Sequence, residues 1–323
     1  MTNYEESFFK DPWEYITGPN YPEVNLLFRD DMRFYVSINE MNQKLFVIQV
    51  PFIINADLPS GLKSVEVEII RFDDNKTRLL CILTDEDLID NFTLVIKDVA
   101  HHCAQYPDET VISKGIQRLF SWAELLKPSG KGIGKSTQMG LWGEMFVLDQ
   151  YICTAHPIKD AISFWIGPEQ KKQDFTLNHM ALEVKTTMSG SGSTIKISSV
   201  EQLERVTDHL YLIQIFINKG NGPDALSLKD LYEQIIESIN DDTETKTNFL
   251  FSVSKIYGKA TDSERNEKFS FLQYNLYEVD ENFPLISSKD LPDPIRNVRY
   301  EIDSSKISSF KLEAPIESVV ENG

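Results

Sequence analysis

The stretch QDFTLNHMALEVKTT, residues 173–187, constrains this chain more than any other. It predicts two short strands around a tight turn at Asn178-His179. Side chains on a strand alternate between faces, so Glu183 and Lys185 fall on one side and Leu182 and Val184 on the other. A charged pair on an otherwise apolar strand is costly unless something uses it. Asp174 stands near the start of the preceding strand, and the hairpin brings it close to Glu183. A fold built on this hairpin can set three charged groups together.

Two carboxylates at that separation make a hard-oxygen site of the kind that suits Mg²⁺ or Mn²⁺, with the backbone carbonyl of Val184 as the natural further protein ligand. Such an ion lowers the pKa of a bound water and offsets charge developing on a phosphate. Lys185, beside the water, would orient it or help deprotonate it, and would steady transition-state charge. The bare spacing, an Asp followed nine positions on by Glu-x-Lys, also fits a solvated surface hairpin.

The order Asp174, then Glu183-Val184-Lys185, resembles the motif of the PD-(D/E)XK nucleases, with Gln173 where that motif has a proline. Upstream, GLWGEMFVL resembles the helix these nucleases place before the core sheet. Its Glu144 is then implied as an accessory acid and metal-site residue. GLWGE, the 161–175 stretch ending in Asp-Phe, EVKTT and ISSVEQL together resemble one uncharacterised bacterial PD-(D/E)XK group of restriction and phage-defence gene clusters. The specific likeness covers about residues 138–206. It implies an α/β, restriction-endonuclease-like fold, a mixed sheet flanked by helices, and an endonuclease that hydrolyses DNA with Mg²⁺ or Mn²⁺. The alternative is the same fold without catalysis, a DNA-binding or effector-complex subunit. RNA as substrate, other defence-system subunits as partners, and a homo-oligomer stay open. Gln202, on a helix expected from Ser198 or Ser199 to Val206, would touch DNA phosphate or order water near Lys185; a plain polar helix residue fits equally.

Along the chain, strand pairs are expected at RFYVSI and KLFVIQV and at KSVEVEIIRF and TRLLCILT, then helices over 86–106 and from Asp108 or Thr110 to about Leu126. This predicts an N-terminal α+β module over 1–126, a nuclease-like domain over 127–312 and a mobile tail over 313–323. Within the second domain, strands are expected near Ala161–Ile166, Asp174–Leu177, Ala181–Thr187 and Leu210–Asn218, and in FLFSVSKIY, FSFLQYNLYEV and RNVRYEI. A helix should run from Ser227 or Leu228 to Ile239.

The net charge of −18 argues against a simple basic nucleic-acid coat protein. From Lys127 to Leu210, however, nine Lys/Arg balance nine Asp/Glu, so the acid excess lies elsewhere. KPSGKGIGKST is not a phosphate loop, because Ser129 stands where the pattern needs glycine. It reads instead as a flexible basic connection whose Lys127, Lys131 and Lys135 would clamp a DNA backbone; a solvated linker fits equally. Cys81, Cys103 and Cys153 are far apart and make no zinc spacing, as expected of reduced cysteines. The acidic N-terminus has no basic start before an apolar stretch, and no run of eighteen apolar residues occurs. No secretory signal and no membrane span are expected, and the cytoplasm is the expected location.

Overall fold

In the computed structural model, residues 12–27, 31–58, 62–72, 74–123, 126, 132–166, 172–220, 222–239 and 242–321 are described. The chain divides into two compact units, residues 1–130 and 131–323.

The first unit is built on strand alternation. The strands β1 (Asn25–Leu26), β2 (Phe34–Ile38), β3 (Lys44–Val50), β4 (Val65–Arg71) and β5 (Thr77–Leu83) form an antiparallel sheet of order β1-β2-β3-β5-β4. Asn42 and Asn75, both at positive φ, turn the two hairpins. Leu45, Val47, Leu80 and Ile82 gather on one face with Tyr21 and Val24. The face carrying Ile48 and Leu79 receives helix α2 (Asp108–Ser121), whose Gly115 allows that close approach, and α1 (Ile89–Ala104) packs beside α2. Between these helices the buried Asp98 accepts from Arg118 Nε at 2.6 Å and from the Trp122 indole.

The second unit holds a mixed five-stranded sheet of order β10-β11-β9-β7-β6, formed by β6 (Phe175–Thr176), β7 (Met180–Met188), β9 (His209–Lys219), β10 (Leu226–Ser227) and β11 (Lys268–Glu278). Its one parallel pair is β7 with β9, in the register Glu183↔Leu212, Val184↔Ile213 and Lys185↔Gln214. The crossover between them carries β8 (Thr194–Ile197), which pairs with β12 (Tyr300–Asp303) as a separate ribbon. Ala181, Leu210 and Leu212 on one face of the main sheet share a core with Ile195, Ile197 and Ile302 of that ribbon. The opposite face, with Val184 and Thr186, receives helix α3 (Lys135–Val147) at Gly143. Helix α5 (Leu228–Ser238) begins with a capping box of Ser227 and Asp230. No helix among the described residues is long and apolar enough to cross a membrane.

This is the mixed α/β architecture expected, with four local differences. Residues Ala161–Ile166, expected as a strand, lie mostly in helix α4 (Ile158–Phe164), because buried Ala161, Ile162 and Trp165 follow i, i+1, i+4 spacing. FLFSVSKIY, expected as a strand, belongs to α6 (Thr243–Tyr257). Asp242 caps it by accepting from Thr245 N–H, and Phe249, Leu250 and Val253 form the buried side. The helix expected over 198–206 shrinks to one 3₁₀ turn, Val200–Leu203. Finally, part of the expected mobile tail is docked. Ile316 and Val320 of α8 (Ile316–Val320) are buried, and the Val320 carbonyl lies 2.9 Å from His156 Nε2. The short helix between α6 and α8, α7, spans Asp262–Asn266.

A methyl placed on Gly143 would stand 1.9 Å from Thr186 Oγ1. The Gly143→Ala variant should therefore be destabilised by about 1–3 kcal/mol, after subtracting up to about 1 kcal/mol gained from helix propensity. The check is the denaturant midpoint; an unchanged or raised midpoint would mean that α3 does not seat on β7 there.

Candidate active site

Strand alternation puts Glu183 and Lys185 on the same face of β7, and the β6–β7 hairpin brings Asp174 beside them. Asp174 N–H donates to the Leu182 carbonyl at 3.1 Å, which continues the ladder by one bond. Val184 N–H then donates to Asp174 Oδ2 at 2.7 Å. The acid is thus fixed to the backbone of the strand that carries the other two groups.

Glu183 is fully buried. Lys185 Nζ lies 2.6 Å from its Oε1, an ion pair. Glu183 Oε2 is buried with no hydrogen-bond partner. Lys185 Nζ also donates to Gln202 Oε1 at 3.0 Å, and the same oxygen accepts from Ser198 N–H at 2.8 Å.

Glu144 projects from α3 and accepts from Trp165 Nε1 at 3.0 Å. Its carboxyl is pushed well above the usual range, first by burial and then by the charge of Asp174, with Glu183 adding to the shift. Burial also raises Asp174, against the pull of Lys185 and the bond from Val184. Burial and the neighbouring Asp174 lift Glu183 to about 8. Burial would lower the Lys185 ammonium, but Glu183 and Asp174 outweigh it and hold it above its ordinary value. Three carboxyls thus share one ammonium within electrostatic reach, and all three are driven toward protonation unless more positive charge arrives.

Asp174, Glu183 and Glu144 could supply that charge with oxygen ligands, and the Val184 carbonyl belongs to the same strand. Among the described residues no three His, Cys, Asp or Glu side chains already stand as a metal cage. The residues nonetheless fit a hard cation, since Glu183 Oε2 is buried without a partner and the carboxyls of Asp174, Glu183 and Glu144 all offer oxygen.

Of the basic connection, Lys127 and Lys131 lie outside the described residues. Lys135 is engaged within the unit: it pairs with Glu267 and lies 4.2 Å from the centre of the Phe269 ring. Ile133 and Gly134 N–H donate to the Glu264 carboxylate at 3.0 and 2.9 Å. The end of the connection is therefore tied down, not free.

Sequence reasoning passed over three residues at this site. Gln173, only 2% exposed, donates from Nε2 to the carbonyls of Glu201, Gln202 and Glu204. Trp165 holds Glu144. Gln214, fully buried on β9 and in register with Lys185, donates to Thr187 Oγ1 at 3.3 Å, while its own oxygen has no partner. The signal for Gln214 was visible as a lone amide within the apolar run YLIQIFI.

A family model described as "Putative PD-(D/E)XK family member" matches residues 9–305. The chain belongs to this family. Membership in the PD-(D/E)XK family brings a nuclease-like fold and, in general, phosphodiesterase chemistry. The match runs through both units and includes Glu144, Trp165, Gln173, Asp174, Glu183, Lys185, Gln202 and Gln214. No curated protein and no solved structure matches the chain.

The acidic partner of Lys135 gives a pH test. Burial alone would raise the Glu267 carboxyl, but bonds from Lys135, Lys219 and Gln138 outweigh it and hold it at about 2. Its contribution is complete above the ordinary value of 4.5 and is lost as pH falls toward about 2. Glu267→Gln should cost about 1 kcal/mol or less near neutrality. Denaturant midpoints should show that gap closing on acidification from about pH 5; a gap that is constant with pH would mean the ion pairs do not form.

Proposed function

We propose that this protein is a Mg²⁺- or Mn²⁺-dependent endonuclease that hydrolyses DNA phosphodiester bonds in a restriction or phage-defence system of the cytoplasm. The observation that carries the reading is the fully buried Glu183 carboxylate, with Oε1 paired to Lys185, Oε2 without a partner, and Asp174 and Glu144 close by. A site of this kind favours a doubly charged cation bound together with an anionic substrate.

In this reading Asp174, Glu183 and the Val184 carbonyl hold the ion, and Glu144 binds it directly or through water. The ion supplies a lowered water pKa and positive charge to set against the phosphate. Lys185 meets the attacking water and the developing phosphate charge from the side on which Gln202 holds it. Trp165 keeps Glu144 turned toward the cluster. Lys127 and Lys131 follow the nucleic-acid backbone, and Lys135 joins them if it leaves Glu267.

The test is cleavage of supercoiled and linear DNA, with RNA alongside, at graded Mg²⁺ and Mn²⁺. Asp174→Ala and Glu183→Ala should each abolish cleavage in a folded protein, a barrier increase of several kcal/mol, about a thousandfold or more in rate. Lys185→Ala should lose turnover far more than metal affinity. Glu144→Gln should show a partial defect, largest at low metal concentration. Wild-type cleavage by the Asp174 or Glu183 variant would sink the site assignment. DNA binding without cutting under every metal would favour the inactive alternative.

A further inference from the structure

The hydrogen bonds that hold Lys185 continue beyond Gln202. Gln202 sits in the Val200–Leu203 turn and folds its side chain back, so that Oε1 accepts from Ser198 N–H at 2.8 Å and from Lys185 Nζ at 3.0 Å. One end of the turn is thereby closed by the same atom that grips the lysine. The other end presents carbonyls, which a single turn of helix cannot satisfy from within. Gln173 reaches them: its Nε2 lies 3.1 Å from the carbonyl oxygen of Glu201, 3.2 Å from that of Gln202 and 2.9 Å from that of Glu204.

Gln173 also immediately precedes Asp174, whose backbone and side chain are both bonded to β7. One dipeptide therefore fastens the acid to the strand and the Gln202 turn to the acid. Besides the direct bond to Val184, a hydrogen-bonded route from the Asp174 segment reaches the Lys185 ammonium itself through Gln173 and Gln202. A proline at position 173 has no donor and could reach none of the three carbonyls.

We infer that Gln173 is a positioning residue for Lys185: it holds the turn in the register at which Gln202 aims the ammonium at the reacting centre. The inference rests on the nuclease reading for its consequence in catalysis, but the positioning itself can be measured without substrate.

The experiment labels the full-length protein with an amine-acylating reagent at one pH and follows the Lys185 peptide by mass spectrometry. Gln173→Met keeps the length and removes the donor. It should speed Lys185 labelling severalfold, as should Gln202→Ala. The double variant should label no faster than Gln202→Ala alone, because both changes break the same chain of bonds. In cleavage assays Gln173→Met should lower kcat by about ten- to a hundredfold, with KM within about twofold. Should Gln173→Met fail to fold, Gln173→Asn, which keeps the amide but cannot span to all three carbonyls, takes its place in the same comparison. Wild-type labelling in either single variant, or additive effects in the double, would overturn the inference. A wild-type protein that cuts nothing would count against the nuclease reading alone, since labelling still decides the positioning.

Discussion

A carboxylate shut away from water must be held by charge, and Glu183 has one ammonium for that purpose. Removing one partner from such a buried pair typically costs about 3–5 kcal/mol, so the elements around it are arranged to keep the pair in place. The parallel pairing of β7 and β9 is central to this arrangement. Parallel neighbours need a crossover of a dozen or more residues. Here the crossover is no helix; it carries β8, which covers the charged face, and the turn that brings Gln202 to Lys185. The route that returns the chain for β9 also completes the lysine's surroundings. From the other face, α3 sits against Thr186 through Gly143, and the next residue along that helix is Glu144.

Much of this was legible in the residues, and the boundary between what was and was not has a physical cause. The hairpin, the shared face of Glu183 and Lys185, and the nearness of Asp174 follow from a period of two and one turn, all local rules. The long strands β9 and β11 and the capped helix α5 were equally plain. Errors came where a short apolar run satisfied two periods at once. Phe249, Phe251 and Val253 alternate like a strand, yet Phe249, Leu250 and Val253 are the buried set, and the Asp242 cap three residues before Thr245 was the better guide. The 198–206 segment failed for another reason. Its helix stops after one turn, and carbonyls at its end accept from Gln173, a partner 28 to 31 residues away in sequence. No local pattern announces such a partner. The membership that links both units to one family was likewise visible only in part, since the likeness read from the residues began near position 138 and the family match begins at residue 9.

The bond from Val184 N–H to Asp174 Oδ2 has a consequence for how this site can be taken apart. Beyond the last pair of the β6–β7 ladder, Phe175 with Leu182, a carboxylate oxygen accepts from the main chain of β7. The acid is thus an element of the sheet as an acceptor and, in the proposed reaction, also a metal ligand. These two duties depend on different properties of the side chain: the first needs an acceptor oxygen at that spot, the second needs a charge. An asparagine satisfies the first and lacks the second. The hairpin can therefore keep its architecture when the charge at this position is removed, so the fold and the proposed chemistry can be lost separately.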